Sequence, residues 1–282
     1  KTHSKGSLVH SKGGEVIFKD VKGMNEYSVD INGHYGFILE NGGKIHGDEE
    51  FKKKEFSLNV KNNGTGIIFI QTEGNTKTDR PFSDLGITNI KVEGSSDPKN
   101  TEYTKGLYYK NLGEIEEDLS NINMTLSGNN TVGLVLNGTY GKVFTKDVVL
   151  GEEAQNSTAI LIKGSDNPAE NSADPNNNTT ITGNITVKDS NKGGTKQETG
   201  NIGLEVQNAS ASTDGKITVG EGLNYENRYP VGVYAINNIK DKNGNYIEDK
   251  EYIYTGNGDL AVGNFATGVA AKNFDILYNG NI

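Results

Sequence analysis

The sequence predicts an all-β, right-handed parallel β-helix of about eight coils with loops inserted between them. Three observations predict it. A glycine-led apolar block recurs along the chain, strand-like runs of alternating apolar and polar residues lie between the blocks, and Asn or Gly closes most blocks.

The block reads as a small residue, then a short apolar run, then Asn or Gly. It appears as Gly36-Phe37-Ile38-Leu39-Glu40-Asn41, Gly106-Leu107-Tyr108-Tyr109-Lys110-Asn111 and Gly133-Leu134-Val135-Leu136-Asn137-Gly138. The leading small residue stands at 36, 66, 106, 133, 159, 203, 232 and 268, with Ala substituting at 159. Successive steps are 30, 40, 27, 26, 44, 29 and 36 residues. A period of this size is the signature of stacked repeats. The shortest steps read as bare coils and the longer ones as coils carrying inserts. The inserts are assigned to residues 72–84, 165–178, 189–200 and 239–254. The last holds Asn243-Gly244 between strand-like flanks, the composition of a hairpin turn.

Between the blocks lie Phe56–Val60, Ile87–Val92, Ile122–Leu126, Val143–Leu150, Thr180–Val187, Lys216–Val219, Leu260–Val262 and Ile276–Tyr278. Their apolar residues alternate with polar ones, the pattern of a strand with one buried face. Only Glu114–Leu119 offers a short helical candidate. Glycine is expected to permit tight corners and positive φ. Asn at a corner tolerates the left-handed region and can ladder with the Asn of the next coil. Eight coils at a strand spacing of about 4.8 Å make a rod on the order of 40 Å long. An antiparallel sandwich is the competing fold, but it has no reason to repeat one block.

Composition narrows the function. The apolar fraction is 33%, against roughly 45–50% in ordinary domains by a count that includes Gly. A solenoid accommodates this, because each coil buries only the face it shares with its neighbours. The net charge of −9 argues against nucleic acid, which needs a basic stripe. There is no Cys, so disulfides, thiolate zinc sites and thiol nucleophiles are all absent. That absence also suits export across a bacterial envelope. No signal peptide or apolar spanning run occurs, and the chain begins at Lys1 without Met, so it reads as a single β-helix segment, residues 1–282, of a longer protein.

Glycine-led blocks, Asn/Gly corners, absent Cys and a Lys/Asn/Ile bias resemble passenger domains of large type V autotransporter adhesins of the outer membrane, fusobacterial in style. The resemblance runs from about Gly13 to Ile282 and is one of texture, with no strict motif. It implies a passenger displayed at the cell surface, or released after cleavage, and anchored only through a C-terminal β-barrel outside this chain. It implies attachment to a host glycan, a host protein receptor or partner bacteria. No site residues carry across. We expect a monomer with no cofactor and no metal.

Parallel β-helices also carry lyases and glycosidases, so a polysaccharide-degrading enzyme is the alternative function. Such chemistry needs two carboxylates at a set separation. The adjacent acids are Glu49-Glu50, Glu116-Glu117 and Glu152-Glu153, all in polar, turn-like contexts. The only arginines, Arg80 and Arg228, lie near Pro in probable-loop composition, and His3, His10, His34 and His46 are not spaced as a helical metal pair. No Gly-x-Ser-x-Gly elbow occurs, and Gly256-Asn257-Gly258-Asp259 is a lone fragment of a calcium-binding repeat. No catalytic residue is assigned. Contact surfaces favour Tyr. Tyr225, Arg228, Tyr229, Tyr246, Tyr252 and Tyr254 fall in or near the inserts around 225–254 and are the binding candidates, since inserts on solenoids often bind. Tyr103, Tyr108 and Tyr109 form a second cluster.

Overall fold

In the computed structural model the described residues are 6–72, 86, 89–95, 101–164, 177–189, 200–222, 229–239 and 251–282. They form a parallel β-solenoid. Nine strands stack in one continuous row, Ser7–Lys12, Tyr35–Glu40, Thr65–Ile70, Thr104–Leu119, Thr131–Thr145, Thr158–Lys163, Ile202–Gln207, Val231–Ile236 and Thr267–Lys272. A second wall runs from the far half of Thr131–Thr145 through Asn178–Ile181, Ser210–Thr213 and Ile253–Gly256 to Asp275–Tyr278. Glu15–Phe18 and Lys44–Gly47 pair as a separate short ladder. An eight-stranded sheet from Glu26–Asn32 to Leu260–Val262 makes the third wall. Every strand-to-strand ladder is parallel, which removes the antiparallel sandwich.

Strict register turns the sequence blocks into columns. In the first wall Phe37, Ile67, Leu107, Leu134, Ile160, Leu204 and Val233 stand one above another, all buried. In the third wall Leu58, Ile90, Met124, Val148, Ile185, Ile217 and Leu260 do the same. Each coil leaves its apolar face open until the next coil covers it, so burial accumulates only by stacking. Near the amino end aromatic rings fill the interior. Phe18 lies 5.3 Å from Phe51 and 5.7 Å from Phe37, and Tyr27 stacks on Phe51 at 4.7 Å.

The glycine row has a cause different from the expected one. Gly36, Gly66, Gly106, Gly133, Gly203 and Gly232 lie in strands without positive φ; what they lack is room. A Cβ on Gly66 would sit 2.5 Å from the Gly106 carbonyl, and one on Gly106 would sit 2.6 Å from that of Gly133. The left-handed corners are shared between Asn and a different set of glycines, among them Gly42, Gly113 and Gly138. Asn41, Asn111, Asn208 and Asn273 close their blocks at φ of 50°, 57°, 53° and 52°. Side-chain ladders also join turns of ordinary φ from coil to coil. The Asn257 amide donates to Asp214 at 2.9 Å and the Asn279 amide donates to Asn257 at 3.0 Å.

Several boundaries move. The first coil, Ser7–Lys12, escapes the glycine pattern because Leu8 stands opposite Gly36; nine rungs therefore replace eight. Glu114–Leu119 is the far half of a strand, not a helix: Ile115, Glu117 and Leu119 alternate inward. Thr180–Val187 bends into two strands at Thr182-Gly183, and Val143–Leu150 bends at Lys146. Of the 165–178 insert, Asn178 already belongs to a strand. Ile239 and Tyr252, near the ends of the 239–254 insert, are core residues, and Ile253–Gly256 is a coil strand paired in parallel with Ser210–Thr213. The Asn243-Gly244 hairpin lies outside the described residues, as do 73–84, 165–176 and 190–199 of the other inserts.

Candidate interaction surface

Outward side chains on the third wall are mostly small or polar, for example Asn59, Lys91, Thr125, Thr186 and Thr218, with Val149 an apolar exception in the same column. The first wall differs. Parity within each strand sends the residue two places after the leading glycine outward, between two inward neighbours. Register stacks these residues as Ile68, Tyr108, Val135, Leu161, Glu205 and Tyr234. Ile68 is only 9% exposed and Val135 only 4%, so this outer column is partly desolvated. Beside the mainly polar third wall, an apolar outward column is the informative departure.

Glu205 interrupts the column, with Leu161 on one side and Tyr234 on the other. The Thr158 hydroxyl donates to Oε2 at 3.2 Å and the Gln207 amide donates to Oε1 at 2.6 Å. Burial pushes the carboxyl pKa above the usual Glu value; the two donors and the Lys163 charge oppose that rise. Two coils from Glu205, the Asn137 amide donates to the Tyr108 hydroxyl of the coil beyond it at 3.2 Å. The strip thus offers ring faces, a desolvated carboxylate, amides and hydroxyls at coil spacing. Such a mixture suits a hydroxyl-rich or partly apolar ligand.

The residues expected to bind fare unevenly. Tyr252 and Tyr254 are interior, both fully buried, and this corrects their assignment as exposed contacts. Tyr252 stacks on Phe274, and Tyr254 shares a 2.7 Å hydrogen bond with Thr213 inside the second wall. Burial drives the Tyr254 phenol pKa far above its ordinary value. Tyr229 is on the surface. Tyr225, Arg228 and Tyr246 lie outside the described residues. Tyr108 and Tyr109, adjacent in sequence, part company: Tyr108 faces out, while Tyr109 is buried and stacks on Phe69 at 4.9 Å. Glu205 and Tyr234 were not singled out by residue type. The signal was available in block position, because Glu205 is the only charged residue at the second place after the small one in all eight blocks.

Parity also separates the adjacent acids. Glu116 is exposed and Glu117 is fully buried, so the two carboxylates occupy opposite faces of one strand. Glu117 lies near the Tyr109 hydroxyl, whose pKa burial raises first and the Glu117 charge second. A corner groove of about 400 Å³ includes Glu93, Ser95, Asn129, Glu153 and Gln155 in its lining and has no aromatic wall. No group of three or more potential metal-ligating acids or histidines occurs among the described residues. No protein-family model, no curated protein and no solved structure matches the chain.

Proposed function

We propose that the chain is a non-enzymatic, surface-displayed segment of a bacterial adhesin. It belongs to a longer exported passenger anchored in the outer membrane by a C-terminal β-barrel outside this sequence. The stacked coils act as a stiff spacer, and the ligand is a host glycan, a host receptor or the surface of a partner bacterium. The observation that carries this proposal is the outer column from Ile68 to Tyr234, which contrasts with the mainly polar outward face of the third wall. Tyr108 and Tyr234 supply ring faces, and Glu205 with Gln207 and Thr158 supplies directional hydrogen bonds. The lack of Cys and the acidic, Arg-poor composition agree with export and with no nucleic-acid partner.

The test is binding of the purified chain to a glycan array, to host cells and to other bacteria. The wild type is compared with Tyr234→Ala and Tyr108→Ala. Loss of binding in these variants, with an unchanged circular dichroism spectrum, supports the proposal. Binding that survives both substitutions places the contact elsewhere. Depolymerising activity on a polysaccharide would replace the adhesive role by an enzymatic one.

A further inference from the structure

Asn-X-Ser/Thr, with X other than Pro, is the tripeptide that N-glycosyltransferases read. The chain holds nine of them. The fold does not treat them alike. Transfer needs the amide and the hydroxyl two residues on to be reachable together. In six of the nine the hydroxyl residue is buried: Thr65, Thr131, Thr139, Thr158, Thr179 and Ser210 are at most 5% exposed. Corners explain three of these. Asn63, Asn156 and Asn208 sit at φ of 66°, 49° and 53°, so the chain turns before the hydroxyl residue is reached. The three that remain are Asn123-Met124-Thr125, Asn178-Thr179-Thr180 and Asn184-Ile185-Thr186. Each lies in a strand, so parity puts Asn and its second-next Thr on the outer face and the middle residue inside.

Hydrogen bonds separate these three. The Asn178 amide donates to its own Thr180 hydroxyl at 3.3 Å and to Ser212 at 3.0 Å, which closes off its nitrogen. The exposed Asn184 amide donates to the Asp147 carboxylate at 3.1 Å, while its oxygen accepts the Lys216 N–H at 3.0 Å. The Asn123 amide donates to Asn89 at 3.5 Å. A primary amide carries two hydrogens. A sugar on the nitrogen replaces one and leaves the other in its bond. Register sets Met124, Val148 and Ile185 in line, so the outward residues before them, Asn123, Asp147 and Asn184, share a column. One rung therefore lies between the two asparagines, a separation of about 10 Å at the usual strand spacing, which leaves lateral room for a sugar on each.

We propose that Asn123 and Asn184 are N-glycosylation sites on the third wall, each taking a hexose from a nucleotide-activated donor. The Asn Nδ2 bonds to the anomeric carbon of the sugar. The bond from that carbon to the diphosphate oxygen breaks, and the nucleoside diphosphate leaves with the electron pair. The amide gives one proton to a base of the transferase, and nothing is oxidised or reduced. The assignment requires only that the chain meet such an enzyme; it does not rest on the adhesive role.

Peptide mapping by mass spectrometry of the chain from its native host tests this. Hexose on Asn123 and on Asn184, with the other seven sequons bare, is the expected result. Either site found bare overturns its assignment. Sugar at a sequon whose hydroxyl is buried overturns the selection by the fold. Thr125→Val and Thr186→Val keep a β-branched side chain on the strand and remove only the hydroxyl. Each should abolish the sugar on its own asparagine and leave the other in place, with an unchanged circular dichroism spectrum. Sugar that persists in these variants overturns sequon-directed transfer. The purified folded chain supplied with UDP-glucose and a soluble sequon-specific N-glycosyltransferase should be modified at the same two positions. Its proteolytic peptides should accept sugar at the remaining sequons as well, because the buried hydroxyls are then released. A folded chain modified at neither position in that assay also overturns the proposal. None of these outcomes bears on ligand binding by the first wall.

Discussion

Gly106→Ala is the substitution that most directly probes how the coils are held together. The added methyl would lie 2.6 Å from the Gly133 carbonyl oxygen, and 3.2 Å and 3.3 Å from the inward methyls of Val92 and Ile90. The closest obstacle is backbone, so relief requires the two coils to separate or to slip. Overpacking of this kind costs about 1–3 kcal/mol. Against it stands a stabilisation of about 0.4–1 kcal/mol, because alanine restricts the unfolded chain more than glycine does. The net expectation is a loss on the order of 1–2 kcal/mol. Ala159 in the same row is fully buried, so one coil has adjusted to a methyl, and Ala159→Gly serves as the reverse control.

Urea unfolding followed by circular dichroism measures the total loss. Hydrogen exchange locates it, since solenoid coils interact chiefly with nearest neighbours. Amides of Thr65–Ile70 and Thr131–Thr145 should lose protection before those of Val231–Ile236. A stabilised Gly106→Ala protein, or protection lost uniformly, would refute the steric account of the glycine row.

Three further outcomes follow from buried side chains. Tyr254→Phe leaves the Thr213 hydroxyl without its 2.7 Å partner and should cost about 1–2 kcal/mol in urea unfolding. Phe69→Ala removes a buried ring stacked on Tyr109 and should cost about 3–5 kcal/mol, with exchange rising in the adjacent coils. Tyr109 and Tyr254 have phenol pKa values raised above 10.0 by burial, so the folded state holds their protons longer than the unfolded chain. Their contribution to stability is full below pH 10 and is lost as pH rises beyond it. Absorbance at tyrosinate wavelengths should therefore show some tyrosines ionising only as the chain unfolds; full titration of all 13 in the folded state would contradict this.

The architecture was legible because it depends on parity and repetition. Once Gly106 fixes the start of a block, Leu107 and Tyr109 must share a face and Tyr108 must take the other. The first coil was not legible, since Leu8 stands where the later blocks carry glycine or alanine. The reason for glycine was also hidden: crowding by the carbonyl of the next coil is a long-range contact that no local propensity reports. Tyr254 was assigned outward by analogy with insert residues, yet its hydroxyl partner, Thr213, is a residue 41 positions away. Residue type alone favoured clustered tyrosines, whereas the outer column assembles from single residues that are far apart in the chain.

Glu205 is where fold and function make opposite demands, and its replacement separates them. Its neighbours in the column are Leu161 and Tyr234, so an apolar residue would suit the stack better than a carboxylate whose pKa is raised by burial. A Glu with a raised folded pKa destabilises the protein at neutral pH, and that penalty disappears as pH falls below the ordinary value of 4.5. Glu205→Gln keeps an acceptor for Thr158 and removes the charge. It should leave stability unchanged or raise it by up to about 1 kcal/mol at pH 7, with the two proteins converging near pH 4. If the carboxylate is retained for ligand contact, the same variant should lose binding while gaining or keeping stability, a separation that purely structural residues do not show. A variant that is less stable at neutral pH and binds normally would make Glu205 a structural link between Thr158 and Gln207, and would leave the column without its one directional charged contact.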